Sequence, residues 1–253
     1  MSGHSQFKNI MYRKGAQDAK RAKTFAKLGR EILVAAKSGS DPQSNPRLRS
    51  ALAAARTVNM PSDNINRIMK KAAGGEELES YEDVRFEGFG PGGVAVIVEA
   101  LTDNRNRTVP EMRSIFSKFG GNLGEIGSVN FMFEHIGIVV LSKEDLFIES
   151  LFEKAVDAGA DNLEENEGEF VITTSVGLFG QVRDYMTEQV KTPLSSEIVW
   201  RPINTIDCDF ETTKTLFRMV DVLEDNDDVQ KVFTNFSCSD EVQHKIDEEF
   251  NKD

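Results

Sequence analysis

The sequence lacks the features of membrane-spanning, secreted and disulfide-stapled proteins. It has no run of about 18 apolar residues, which a membrane-spanning helix requires. Residues 1–9 are polar and contain no apolar core of a secretory signal. The two cysteines, Cys208 and Cys238, lie far apart in sequence and outside any CxxC motif, which is typical of reduced thiols. We therefore expect a soluble protein of the cytoplasm.

Motifs for catalysis and metal binding are also missing from the sequence. The three histidines, His4, His135 and His244, stand apart from one another and from both cysteines, so their spacing predicts no zinc site. The glycine-rich residues 88–93 lack the Lys-Ser or Lys-Thr of a P-loop and precede a strand pattern, which favours a hairpin turn. We expect no enzyme activity, cofactor or metal. The many carboxylates keep an enzyme of unknown chemistry open as a remote alternative.

What the sequence does contain is a steep division of charge. Residues 1–75 hold 15 Lys and Arg against 4 Asp and Glu, whereas residues 76–253 hold 15 against 38. The formal net charge of −12 therefore hides a basic N-terminal segment. Such a segment can bind phosphates while the acidic body is repelled and stays outside. A merely solvated charged surface would explain the acidic body but not the one-sided basic segment.

The basic segment has the pattern of three short helices. Over residues 16–38, one stripe at helical spacing is apolar: Phe25, Leu28, Ile32 and Ala35. The opposite stripe carries five cations that we expect to face water: Lys20, Lys23, Lys27, Arg30 and Lys37. Asn45 and Pro46 predict the start of a second helix, as an N-cap followed by an N1 proline. A third helix is predicted to reach residue 73.

Beyond residue 76 the pattern alternates strands and helices with short connections. Residues 94–101 (VAVIVEAL) predict a buried strand, and residues 128–134 and 137–141 predict two strands joined by a tight turn. Residues 164–167 (EENE) contain three acidic side chains and predict a solvated turn, and the polar residues 240–253 are expected to fray. The fold class is therefore α+β with three domains. A three-helix domain precedes two α/β sandwich domains with mainly antiparallel sheets.

The loop at residues 102–108 (TDNRNRT) has two interpretations. Arg105 and Arg107 are suited to contacts with phosphates and base edges, and they lie within an otherwise acidic body. Alternatively, Thr108 and Glu111 form the capping box of a helix that reaches residue 119, and the loop is an Asn-rich turn. The cap explains Thr108 but not both arginines. Both interpretations stay open.

Several motifs together resemble the YebC/PmpR family. They are residues 3–5 (GHS), 17–21 (QDAKR), 59–61 (NMP), 88–95 (GFGPGGVA), 101–108 (LTDNRNRT) and 120–129 (GGNLGEIGSV). They span nearly the whole chain, and the coincidence of several motifs of this length is very specific. Gln6 and Phe7 depart from the family's usual Lys-Trp, which removes one cation and keeps an aromatic ring.

The resemblance implies a domain organisation that the residue pattern alone does not give. A helical domain, residues 1–76, precedes an α/β domain made of residues 77–134 and 205–240. Residues 135–204 form an inserted α/β domain, and residues 241–253 form a C-terminal tail. The resemblance also implies a non-catalytic function. Members of the family are commonly described as DNA-binding transcriptional regulators, and others resemble translation factors that act at the ribosome.

Pattern and resemblance together give the candidate contacts to nucleic acid. Phe7 and Tyr12 alternate with cations ahead of the first helix, which suits stacking on bases. The candidates are His4, Lys8, Arg13, Lys14, Lys20, Arg21, Lys23, Lys27, Arg30, Arg105 and Arg107. We predict a non-enzymatic regulator that binds DNA through its basic N-terminal helices, with a ribosome-associated, rRNA-binding translation factor as the alternative. We expect no membrane partner, and a monomer and a weak dimer both stay open.

Overall fold

The structure, a computed structural model, describes residues 17–74 and 80–250, and for residues 17–20 and 250 it describes the backbone alone. Helices come first and are followed by two antiparallel sheets with their own helices. This arrangement confirms the α+β fold class with three domains. Within those residues, no helix is both long enough and apolar enough to cross a membrane.

The helices and strands have the following bounds. The helices are α1 Gln17–Lys37, α2 Pro46–Thr57, α3 Ser62–Ala73, α4 Arg105–Lys118, α5 Ile148–Ala158, α6 Phe179–Gln189, α7 Phe210–Asp225 and α8 Asp240–Phe250. The strands are β1 Glu82–Phe89, β2 Ala95–Thr102, β3 Asn122–Leu123, β4 Phe133–Ser142, β5 Asn162–Asn166, β6 Glu169–Ser175, β7 Ser195–Pro202, β8 Ile206–Asp207, β9 Val229–Thr234 and β10 Phe236–Ser237.

The described chain divides into two compact units. The first unit contains residues 17–27, 80–134 and 201–250, and the second contains residues 28–74 and 135–200. The boundaries fall within α1, β4 and β7. Each unit is therefore assembled from segments that are distant in sequence.

The first unit is built on a four-stranded sheet in the order β3-β1-β2-β9, with antiparallel neighbours. β1 and β2 pair from Glu82 with Thr102 to Phe89 with Ala95, so residues 90–94 form the hairpin turn that the glycines predict. α4 and α7 pack on the sheet through a core of Val84, Phe86, Val96, Val98, Ala100, Met112, Phe116, Met219, Leu223 and Val229. β8 and β10 form a separate parallel pair.

The second unit has a sheet in the order β5-β6-β4-β7, in which β6 is antiparallel to both β4 and β5. Its core joins this sheet to α5 and α6 through side chains that include Val139, Leu141, Leu151, Phe170, Ile172, Phe179, Val182 and Met186. This is a second α/β layer with its own hydrophobic core, as the short strand–helix–strand pattern predicts.

The helical segment of the second unit follows the predicted apolar stripes. Ile32 and Ala35 of α1 are buried, as are Leu48 and Leu52 of α2. The predicted N-cap is confirmed, because the Asn45 Oδ1 accepts a hydrogen bond from the Leu48 backbone nitrogen at 3.0 Å. The Asn45 amide nitrogen also donates to the carbonyl oxygens of Ala35 and Gly39, each at 2.7 Å. One buried side chain thus caps the start of α2 and hydrogen-bonds carbonyl oxygens at the end of α1.

Three local predictions from the sequence are wrong. Residues 128–134 and 137–141 do not form two strands, since β4 is continuous through Gly137. A Cβ at Gly137 would lie 2.6 Å from the Phe179 ring, so this glycine makes room for α6 within the strand. Glu164 and Glu165 belong to the edge strand β5, which pairs with β6. Residues 240–250 form α8, which is anchored by the buried side chain of Ile246.

Close packing at Gly88 predicts a steric effect on stability. A Cβ at this position would lie 2.5 Å from the Asn122 carbonyl oxygen and 2.7 Å from the Phe116 ring. We expect Gly88→Ala to lower the free energy of unfolding by about 1–3 kcal/mol, because both neighbours belong to packed elements. Urea unfolding followed by circular dichroism measures this change.

Gly180 provides the matched control, since no atom lies within 4 Å of the Cβ that would be added there. Gly180 is in α6, so Gly180→Ala should leave stability unchanged or raise it by about 0.4–1 kcal/mol. Equal unfolding free energies for Gly88→Ala and the parent chain would contradict the packing argument.

Candidate nucleic-acid interface

The predicted nucleic-acid contacts are only partly open to structural description. His4, Lys8, Arg13 and Lys14 lie outside the described residues, and Lys20 is described in its backbone alone. The remaining candidates divide between the units. Arg21, Lys23, Lys27, Arg105 and Arg107 belong to the first unit, and Arg30 belongs to the second.

Two cations of α1 bind the carboxyl end of α7 within the first unit. The Lys23 Nζ donates to the Asp225 carboxylate at 2.7 Å and to the Asp225 carbonyl at 3.0 Å. The Lys27 Nζ donates to the Glu224 carbonyl at 2.7 Å. Lysines here satisfy the last carbonyls of a helix and oppose its negative dipole end. The expectation that this stripe simply faces water is therefore wrong for Lys23 and Lys27.

The other described cations of α1 differ from one another. Arg21 is exposed, and its guanidinium carbon lies 5.4 Å from the centre of the Phe25 ring, which is a cation–π contact. Arg30 is half-buried and already interacts with neighbouring groups. Of the cations of α1 with described side chains, Arg21 is thus the clearest candidate for an external anion.

Arg107 is held by a buried carboxylate at the start of β9. One of its guanidinium nitrogens lies 2.8 Å from the Asp228 Oδ2 and 2.9 Å from the Asp103 Oδ1. Asp228 also accepts hydrogen bonds from the hydroxyls of Thr108, at 2.7 Å, and Thr102, at 3.0 Å. Burial alone would raise the pKa of Asp228, but the hydrogen bonds from Arg107, Thr108 and Thr102 hold this pKa below its ordinary value.

This network corrects the predicted capping box. α4 begins at Arg105, and its N-cap is Asn104, whose side-chain oxygen accepts from the Arg107 backbone nitrogen at 3.1 Å. Thr108 is buried inside the first turn of the helix, where its hydroxyl binds Asp228. The loop is thus a capped helix start, as one interpretation had it, but the cap is a different residue. Arg105 remains exposed, without a partner in the described part of the chain.

The two predicted groups of cations contact the same short segment of the first unit. Lys23 and Lys27 bind Asp225 and Glu224, while Arg107 binds Asp228. Residues 224–228 (EDNDD) carry four acidic side chains. The structure brings both groups together, but it also neutralises much of their charge. Their first role in this unit is to join distant parts of the chain.

A row of cations that the sequence analysis did not select lies on α3 in the second unit. Arg67, Lys70 and Lys71 are exposed, and their spacing of three and four residues places them on one face of the helix. A guanidinium nitrogen of Arg67 lies 3.2 Å from the neutral Asn64 side-chain oxygen. Lys70 and Lys71 contact no acidic side chain of residues 17–74 or 80–250. Helical periodicity over the third predicted helix would have identified this row from the sequence.

Two of the three arginines of α2 differ from this row because they are ion-paired. The Arg47 Nε lies 2.7 Å from Glu31, and the Arg49 Nε lies 3.1 Å from Asp184. Ion pairs of this kind reduce the charge available to an external phosphate. The third, Arg56, is exposed and has no side-chain partner among the described residues, but it stands alone. The row on α3 is therefore the largest group of unpaired cations in the described helical segment of the second unit.

The chain combines three domains with an exposed cationic row on α3 of its helical domain. Among the described residues, it has no cluster of His, Cys, Asp and Glu that could hold a metal. The chain belongs to the TACO1/YebC family. Residues 5–75 match a family model described as the TACO1/YebC protein N-terminal domain, and residues 81–236 match one described as the TACO1/YebC second and third domain. These matches confirm the resemblance that the motifs indicate.

A solved structure supports the same assignment. The chain is similar to the crystal structure of a conserved hypothetical protein, Aq1575, from Aquifex aeolicus. The two have a TM-score of 0.78 and 41% sequence identity, over 91% of this chain and 96% of the other. The fold described above is therefore that of an experimentally solved relative.

The buried carboxylate of Asp228 predicts a specific dependence of stability on pH. Its folded pKa is lowered, so its stabilising contribution is present above the ordinary carboxyl pKa of 3.8 and is lost as the pH falls through the folded value. We expect Asp228→Asn to lower the free energy of unfolding at pH 7 by about 1.5–3 kcal/mol, because charge-assisted hydrogen bonds are weakened. The difference from the parent chain should shrink on acidification below about pH 4.

Urea unfolding at a series of pH values measures both effects. Glu188→Gln is the control, since Glu188 is exposed and should change stability by less than about 0.5 kcal/mol. If the free energies of unfolding of the parent chain and of Asp228→Asn differ by the same amount at every pH, this carboxylate does not contribute to the acid dependence of stability.

Proposed function

We propose that this chain is a non-catalytic, cytoplasmic regulator of gene expression that binds DNA through its N-terminal helical domain. The family whose model matches residues 81–236 is named for transcription regulators, which supports a role in transcription. The row formed by Arg67, Lys70 and Lys71 is the observation that carries the nucleic-acid part of the proposal. Its cations are exposed and aligned on one helix face, which is what phosphate contacts require.

The acidic remainder of the chain supports a defined orientation on nucleic acid. Residues 76–253 hold 38 acidic against 15 basic side chains, so phosphates repel this part of the protein. The helical domain then approaches the phosphate backbone first. Steering of this kind raises the rate of association and weakens as salt is added.

A second candidate is a translation factor that binds ribosomal RNA. The same division of charge favours it, because a basic module on an acidic body suits docking into a cleft of folded RNA. In such a site, shape and phosphates matter more than base sequence. The two candidates therefore share the cationic row and differ in the nucleic acid that it contacts.

The cationic row on α3 predicts a change in the salt dependence of binding. We expect the double substitution Lys70→Gln and Lys71→Gln to weaken binding to a mixed-sequence DNA duplex. It should also reduce the log–log salt slope by about 1.8, because each duplex phosphate contact contributes about 0.9. Fluorescence anisotropy over a salt series measures both quantities.

Arg113→Gln with Lys118→Gln is the matched control, since it removes the same charge from exposed positions of α4, and Lys118 also lies in a last helical turn. This control should keep the slope of the parent chain. If both double variants lose the same amount of salt slope, the effect comes from net charge alone, and α3 is not part of the interface.

The nature of the nucleic acid is tested by cross-linking the full chain in cells, purifying it and sequencing both the attached DNA and the attached RNA. We expect discrete DNA sites that are lost with the double substitution on α3. Ribosomal RNA with DNA at background would replace the DNA proposal with the translation factor. Neither nucleic acid above background would contradict both candidates.

A further inference from the structure

The outer face of α5 in the second unit carries an exposed apolar strip. The side chains of Phe152 and Val156 lie one helical turn apart and are 56% and 57% exposed. The strip continues at the end of the helix, because a Cβ at Gly159 would lie 3.4 Å from the Leu178 side chain, which is itself 39% exposed. Single exposed apolar residues are common, but an aligned group of large side chains marks an interaction surface.

A row of carboxylates runs beside this strip. Glu149, Glu153 and Asp157 are spaced four residues apart on the same helix, and all three are exposed. None of them pairs with a basic group in the part of the chain that the structure describes. The one cation of α5, Lys154, turns away and donates to the Gln189 carbonyl at 3.0 Å. The face of α5 is therefore both apolar and uniformly anionic.

The folding of the chain does not account for this acidic row. Like charges four residues apart repel each other on a helix surface, and two such pairs occur here. Asp157 also lies in the last turn of α5, where a negative charge opposes the helix dipole. Glu149, in contrast, lies in the first turn, where a negative charge favours the dipole, so the unfavourable contributions are the two repulsions and the position of Asp157. A cationic partner would relieve both.

We propose that the outer face of α5 is a docking surface for a basic amphipathic segment of another protein. Lys and Arg side chains of the partner pair with Glu149, Glu153 and Asp157, while its apolar side chains cover Phe152 and Val156. Charge complementarity selects a protein segment over nucleic acid, because phosphates are repelled by the three carboxylates. This surface is independent of the cationic row on α3, and it does not require the proposed DNA target.

A synthetic peptide tests the surface with a defined probe. The peptide is a helix of Lys and Leu residues with all Leu on one face, and its control has the same composition in scrambled order. In fluorescence anisotropy with the full chain, we expect the amphipathic peptide to bind at least about tenfold more tightly than the scrambled one. Equal binding of both peptides would reduce the surface to a non-specific anionic patch and overturn the proposal.

Two variants separate the apolar and the anionic contributions. Phe152→Ser with Val156→Ser removes the strip, and Glu149→Gln with Glu153→Gln and Asp157→Asn neutralises the row. All five positions are exposed, so circular dichroism should show an unchanged fold. Each variant should bind the amphipathic peptide about tenfold or more weakly than the parent chain does. The control, Glu125→Gln with Glu211→Gln and Glu248→Gln, neutralises three exposed carboxylates elsewhere and should bind like the parent chain.

The natural occupant is identified by placing a photo-cross-linking residue at Glu153 and mapping the attached residues by mass spectrometry. A protein segment with Lys or Arg beside apolar residues supports the proposal. Attachment to nucleic acid, or to an acidic segment, overturns it. The residue could instead attach to a second copy of this chain, and sedimentation could show a dimer that Phe152→Ser with Val156→Ser dissociates. In that case the occupant is a second copy of this chain, and the proposal of another protein is wrong.

Discussion

The buried carboxylate of Asp228 ties together three elements of the first unit. Asp228 receives hydrogen bonds from Thr102, Thr108 and Arg107, which lie more than a hundred residues earlier in the chain. The backbone carbonyl of Asp228 also accepts from the Leu101 nitrogen at 2.7 Å, next to the pairing of β2 with β9. This residue therefore fixes the end of β2, the first turn of α4 and the start of β9 at once. Without these donors, a buried negative charge would be strongly unfavourable.

The same requirement explains why the predicted cations serve the fold before any ligand. A chain with a net charge of −12 must compensate acidic side chains where segments meet, and residues 224–228 are such a place. Lys23 and Lys27 compensate the end of α7, and Arg107 compensates Asp228. Positive charge remains available where no acidic segment packs nearby, as on α3. The distinction between paired and unpaired cations is therefore more informative about binding than the total count.

Features that depend on neighbouring residues could be predicted from the sequence. The start of α2 at Asn45 and Pro46 and the hairpin turn at residues 90–94 follow from local backbone chemistry, and both are confirmed. Features that depend on distant residues could not be predicted. Thr108 has the pattern of a cap, but its hydroxyl is needed by Asp228, so α4 starts earlier. A tight turn is predicted near residues 135–136, but β4 runs straight through them. The apolar and cationic periodicity of α3 was visible, whereas the partners of Lys23 and Lys27 were not.

The two proposed surfaces of the second unit have opposite charge, and this bears on the kind of target. Free nucleic acid offers only phosphates, which suit the cationic row on α3 and are repelled by the acidic row on α5. A particle that contains both nucleic acid and basic protein offers a counterpart to each surface. Binding at one surface then raises the effective concentration at the other, so the combined affinity exceeds that of either contact alone. Under the two proposals taken together, a nucleoprotein assembly would engage both rows, whereas naked nucleic acid would engage only the row on α3.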